Sequence, residues 1–305
     1  MVEQLWNPSK RTLEEFSLIR DELLGFVNAE MQSAAQPNNE EDLDWPRISI
    51  ITPSFNQAAF LEHTILSIIN QSYQNLQFIV VDGGSTDGSV EILKQYDTFI
   101  DAWISEPDEG QAFAINKGLR MADGDWVAYQ NSDDIYLPGA LRYIGRKLLG
   151  LPNADVVYGD ILKIDSDYGV RDIQINVRAC PFAQLVDMQM NNQCTFWRRE
   201  LLDASGYFDE SYSFCMDYEY YTRLLMGKAG FAKVTRLIGA QRHHKQSKTS
   251  TMQAQHHKEK RQVQSLYSYG LSRILPLRFR AIIVRAYKVL WHLKHANWWY
   301  LVRNF

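Results

Sequence analysis

The sequence predicts an α/β fold, a mostly parallel central sheet flanked by helices. Three observations carry that prediction. Short apolar runs (RISIIT, LQFIVVD, DAWIS and DWVAYQ) recur between residues 47 and 130. Segments of helical periodicity separate them, the βαβ rhythm of a sheet covered on both faces. Glycines, small polar residues and paired acids gather where these runs end, and such sheets bind ligands beyond the carboxyl ends of their strands.

In chain order, Thr12 to Ser33 places Leu13, Phe16, Ile19, Leu23, Leu24 and Val27 at helical spacing. It reads as an appended helix that either packs on the main domain or serves as an interaction arm. The acidic stretch QPNNEEDLDWP leads to a strand at 47–52. A helix over Ala58–Asn70, a strand over 76–82, a helix over Ser89–Gln95 and a strand over 101–105 follow. Next come a helix over Gln111–Met121, a strand over 125–130, a helix from Pro138 to Leu149 and a strand over 154–162. Residues 163–198 read as loops closed by a strand at 194–198. Met216–Met226 is helical, 231–240 strand-like, and another helix starts near Ser250. The expected division is a helical extension and linker (1–45), the main domain (46–250) and a basic, aromatic helical extension (251–305).

Composition narrows the class. A chain of 305 residues, 46% hydrophobic and 22% charged, is neither disordered nor multi-span membrane protein. No apolar run is long enough to cross a bilayer, and the first residues lack a secretory pattern. Cys180, Cys194 and Cys215 are odd in number and without metal-type spacing, which favours a reducing cytoplasm over a disulfide framework or zinc site. Charge is unevenly placed. Residues 252–305 hold ten Lys or Arg against Glu259, a net +9; since the chain carries −4, residues 1–251 carry −13. The segment from Leu277 to Phe305 interleaves those cations with Trp and aliphatic residues, as does a helix lying in a membrane interface. Docking on the main domain, or a dimer contact, reads the same residues equally well. The expected location is the cytoplasm, peripheral at the inner face of the membrane if the tail engages lipid; no nucleic-acid partner is expected.

Four strand ends hold the chemistry. Thr52-Pro53-Ser54-Phe55-Asn56-Gln57 leaves the first strand through small hydroxyl residues. Asp82-Gly83-Gly84-Ser85 leaves the second, with glycines that allow a tight turn but without the GxGxxG dinucleotide spacing. Asp82 suits a base or ribose contact, or else a turn cap. Ser105 to Gly118 sets three acids before a helix that carries Asn116 and Lys117. Asn131-Ser132-Asp133-Asp134 puts two adjacent carboxylates at a strand end, a set that suits Mg2+ or Mn2+ bound partly by a diphosphate. A solvated acidic turn is the plainer alternative.

The succession TPSFNQAAFLE, VVDGGSTDGS, SEPDEGQAFAINKG and NSDDIYLP resembles the inverting family 2 glycosyltransferases of GT-A fold, from about Arg47 to Thr249. The resemblance implies transfer of a sugar from a nucleotide diphosphate sugar, usually UDP- or dTDP-linked, with a divalent metal. It implies that Thr52, Pro53 and Ser54 line the nucleoside pocket, that Asp82 contacts the base, and that Asp133 and Asp134 hold ribose and metal. Gly83, Asn116, Lys117 and Ser132 join them as donor-binding candidates. Asn131 stands where the family's acidic triplet begins.

Cys215 to Leu224 is similar to the family's acidic helix start. By that likeness Asp217 is the base, Glu219 a second acid on the acceptor side and Arg223 its basic partner, with Met216 where Glu is usual. An ordinary helix cap explains Asp217 as well. Arg242 to Thr249 resembles the element R-x-H-x-x-S-K-T, which implies His244 as a metal or diphosphate ligand and Arg242 and Lys248 as phosphate clamps. The reaction implied is transfer to a hydroxyl of a lipid-linked or growing surface saccharide. The rival class is a non-catalytic nucleotide-sugar-binding or scaffold protein that keeps the fold.

Overall fold

The computed structural model describes residues 44–295 and Leu301. The expected N-terminal helix lies outside the described residues, as does the tail beyond His295 apart from Leu301.

The first half alternates as the sequence predicts: β1 (Ile48–Ser54), α1 (Ala58–Ile69), β2 (Leu76–Asp82), α2 (Ser89–Gln95), β3 (Ala102–Ser105), α3 (Gln111–Met121) and β4 (Trp126–Tyr129). β1 lies between β2 and β4, and β3 pairs with β2, all in parallel. Every β1 residue is buried, Ser49, Thr52 and Ser54 included, so the strand is covered on both faces rather than alternating. α3 approaches β1 so closely that a Cβ on Gly118 would stand 2.5 Å from Ile51 Cγ2. Only glycine fits there.

The second half comprises β5 (Ile135–Tyr136), α4 (Ala140–Leu149), β6 (Val156–Asp165), β7 (Val170–Gln174), β8 (Thr195–Arg198), α5 (Met216–Met226), β9 (Phe231–His243), α6 (Gln253–Tyr267) and α7 (Leu277–Lys294), with one-turn helices between. Among the described residues one sheet runs β3-β2-β1-β4-β8-β6-β9-β5, with β7 beside β6. β8 is antiparallel to both β4 and β6, and β6 returns to parallel pairing with β9. β5 and β7 were not expected from sequence. β5 is two residues long, and in β7 only Ile173 is buried, so neither presents an apolar run. β9 outlasts its expected end because Gln241, Arg242 and His243 keep pairing with the end of β6.

This topology sets the strand ends side by side. Ser54 is in register with Asp82, and Asp82 with Ser105. β4 releases the acidic turn at the same edge, and β9 delivers Arg242 to it. Below, Trp197 packs against the stacked rings of Phe208 and Tyr220, whose centroids are 4.3 Å apart. The two C-terminal helices dock on the body. Val284 and His292 are buried, Tyr287 Oη donates to the Arg178 carbonyl at 2.7 Å, and Lys260 and Lys288 bracket Asp187 at 3.6 and 2.9 Å.

Candidate functional site

Pro53, Ser54 and Phe55 leave β1 along the wall of a cavity of about 590 Å3. Phe55 stands 60% exposed at this cavity. The hydroxyls of Thr52 and Ser54 are buried without a protein partner, a state that costs about 1–3 kcal/mol until a ligand satisfies it. Ser54 lines the cavity; Thr52 lies behind it. Gly83 also lines it, and a Cβ there would stand 2.9 Å from an Asp108 carboxylate oxygen and 3.2 Å from the Phe55 ring.

Asp82 is not on this wall. Fully buried, it accepts the amides of Gly84 and Ser85 at 3.2 and 2.8 Å and the hydroxyls of Ser85 and Ser105 at 2.5 and 2.7 Å. Three of these donors fall on Oδ2 and one on Oδ1, and together they anchor the glycine turn to β3.

The acidic turn divides its two carboxylates. Asp134 is buried and accepts Arg242 N at 2.8 Å, Gln193 Nε2 at 2.7 Å and Asn131 Nδ2 at 3.1 Å. Burial, and secondly the neighbouring Asp133, push its carboxyl upward against those three bonds. Asp133 reaches the open space, and its Oδ2 lies 3.0 Å from His244 Nε2. That distance is a hydrogen bond and also the spacing of adjacent donors about 2.1 Å from one octahedral cation. Asp133 and His244 therefore fit a divalent metal that takes its other ligands from phosphate and water; no group of three metal-capable side chains exists among the described residues. Ser132 and Lys248 line the same cavity.

Arg242 braces the acidic turn from the wall of the larger cavity. Its guanidinium stacks over Tyr168 and Phe60 at 4.4 and 5.1 Å and donates to the Asp133 carbonyl and Tyr168 Oη at 2.8 and 3.0 Å. A cation buried this deeply needs such contacts, which hold the acidic turn while Arg242 also lines the larger cavity.

A second cavity of about 270 Å3 adjoins the first, with Gln111, Asn131, Gln241 and Lys248 lining both. Asp217, in the first turn of α5, lines the second with Met216 and His256. Burial pushes its carboxyl up to about 6, while the Tyr218 amide at 2.7 Å and the Lys248 charge pull the other way.

His244 and four other candidates lie outside both linings. Asn116 turns inward, donating to the Phe208 carbonyl at 2.9 Å and accepting its amide at 2.9 Å. Lys117 pairs with Glu106. Glu219 and Arg223 form an ion pair at 2.8 Å tied to Tyr267 Oη and the Tyr207 carbonyl. These contacts knit α3 and α5 to their neighbours. Sequence reasoning missed Phe55, Gln193 and Glu259. Phe55 could have been found as an aromatic side chain in an otherwise small, polar strand end. Glu259 accepts the amides of Ser213, Phe214 and Cys215 at 2.9, 2.9 and 2.7 Å, a cap supplied from α6.

Residues 49–205 match the family model described as Glycosyl transferase family 2. Over 92 residues the chain is 42% identical to a Bacillus subtilis protein named as the teichuronic acid biosynthesis glycosyltransferase TuaG, a match covering 29% of this chain and 36% of that relative's length. Among solved structures it resembles S. aureus TarS in complex with UDP-GlcNAc, with TM-score 0.60, 16% identity and coverage of 78% of this chain and 70% of that one. It also resembles the mannosyltransferase PcManGT of Pyrobaculum calidifontis in complex with GDP-Man and Mn2+, with TM-score 0.58, 19% identity and coverage of 92% and 78%. These likenesses identify the fold as GT-A.

Proposed function

Because this chain belongs to glycosyl transferase family 2 and is a glycosyltransferase, we propose that it transfers one sugar, with inversion, from a nucleotide diphosphate sugar to a hydroxyl of a lipid-linked or growing surface saccharide. The carrying observation is Asp217. Its carboxyl, raised to about 6, lines a cavity that shares Gln111, Asn131, Gln241 and Lys248 with the larger one. A base and a donor site must adjoin in this way for a single displacement.

In this reading the larger cavity takes the donor. Phe55 offers a stacking face for the base, Ser54 an unpaired hydroxyl, and Lys248 a cation beside the phosphates. Asp133 and His244 would hold Mg2+ or Mn2+, which when bound neutralises charge on the leaving diphosphate. The acceptor enters the smaller cavity. Its hydroxyl attacks the anomeric carbon while Asp217 takes the proton, and the bond from that carbon to the diphosphate oxygen breaks with its electron pair leaving on the diphosphate. A base with a pKa near 6 is ionised at neutral pH yet still basic enough to assist. UDP is the favoured nucleotide, supported by the sequence motifs and by the UDP-GlcNAc bound to TarS.

The test is nucleotide release from a panel of UDP- and GDP-sugars with Mn2+, for wild type and Asp217→Asn. Slow donor hydrolysis that the variant loses supports the reading. A variant as active as wild type ends the assignment of Asp217.

A further inference from the structure

We propose that the outer face of α6 and α7 docks on an anionic phospholipid bilayer, seating a lipid phosphate in an arginine-lined cleft. The first observation is a helix apolar on two sides. α7 turns Val284 and His292 inward, where both are buried. On the opposite side Phe279, Ile282, Ile283 and Leu290 are exposed, Ile282 at 63% and Leu290 at 66%. Their offsets of three, four and eleven residues place them on one stripe of the helix. Leu266 and Ile274 add exposed apolar side chains ahead of α7, Ile274 at 77%. A contiguous patch of that kind facing water marks a contact surface.

The second observation is charge. Residues 253–294 hold nine Lys or Arg and one acid, Glu259. Glu259 is buried under the amides of residues 213–215 and projects nothing outward. Among the described residues of α6 and α7 no other acid offsets the cations, Lys258, Arg278 and Lys294 among them.

The third is a cleft of about 550 Å3 between these helices, lined by Arg261, Arg273 and Arg280 with Leu266 and Leu277 on its wall. Guanidinium groups converging beside aliphatic side chains match a phosphate at the boundary of a hydrocarbon layer. A second copy of this chain fits poorly, because it would set like charges against like. A bilayer answers both the stripe and the charge. α6 also lines the smaller cavity through Gln253, His256 and Lys260, so a docked bilayer would lie behind the helix that walls it.

The experiment is cosedimentation of the full chain with vesicles of phosphatidylcholine alone or mixed with phosphatidylglycerol, without donor or acceptor. Its failure therefore leaves the glycosyl-transfer reading untouched. Binding should require phosphatidylglycerol and weaken with salt. Arg261→Gln with Arg273→Gln should weaken it about thirtyfold, about fivefold per charge. Ile274→Ser with Ile282→Ser should abolish what survives high salt. Unchanged melting temperatures keep both variants interpretable. Equal partition to the two vesicle types, or wild-type binding by the arginine variant, overturns the proposal. So does a dimer in light scattering that the serine variant dissociates while vesicles are ignored.

Discussion

Glu259 Oε2 accepts the Cys215 amide at 2.7 Å, two residues before Asp217, so a carboxylate from α6 fixes the turn that starts the helix of the proposed base. Although burial alone would raise its pKa, the amides of Cys215, Ser213 and Phe214, with the Gln255 side chain, hold Glu259 below the ordinary value. Its stabilisation is thus present above the unfolded pKa and is lost as pH falls through the folded one. Glu259→Ala should lower the melting temperature at pH 7, since each abandoned amide costs about 1–3 kcal/mol. Transfer should fall in kcat while UDP affinity holds. Melting curves from pH 3 to 7 should be flatter for Glu259→Gln than for wild type.

Asp217→Asn should cut transfer by about 10²–10⁴ and leave nucleotide affinity unchanged. The wild-type rate should climb with pH up to about 6 and level off, following ionisation of Asp217. The raised pKa carries a stability sign as well: the ionised form is penalised in the folded protein, so stability declines as pH rises from the unfolded value through about 6. The Asn variant should therefore melt no lower than wild type at pH 8. A pH–rate profile and two melting curves check both halves.

The two acids of the turn should separate by assay. Asp133→Asn is expected to remove the Mn2+ dependence of UDP binding in calorimetry, with melting temperature nearly unchanged. Asp134→Ala should instead destabilise the fold, because it frees the Arg242 amide and the Gln193 and Asn131 side chains inside the protein. A stable Asp134→Ala variant that loses only metal dependence would reverse this assignment.

Gly239→Ala tests how tightly β9 presses on the site. A Cβ there would stand 3.0 Å from the Gln193 carbonyl carbon and overlap its oxygen, and backbone cannot swing aside. The expected loss is about 1–3 kcal/mol or more, roughly 2–4 °C of melting temperature per kcal/mol.

The site's location was legible because strands buried on both faces carry mostly apolar runs that give way to polar residues at their carboxyl ends. The first polar residues after Ile51, Val81 and Tyr129 therefore marked the ligand edge. Direction was not legible. Asp82 and Arg242 sit on that edge in sequence, yet one accepts amides and hydroxyls of its own turn and the other reaches the cavity wall stacked on Phe60 and Tyr168. Glu219 and Arg223, four apart on a helix, pair with each other whatever their surroundings. Glu259 was beyond reach for another reason. Its partners lie 44 to 46 residues away, and no local pattern records such a distance.

Asp187 lines the smaller cavity while Lys260 and Lys288 grip it from α6 and α7. The C-terminal helices are consequently not an exchangeable module. A chimera that grafted another chain's helices onto this domain would strip Asp187 of both partners and reshape the cavity wall along with the surface. The inner cavity wall and the outer helical surface would then change together, because one carboxylate ties both to the same two lysines.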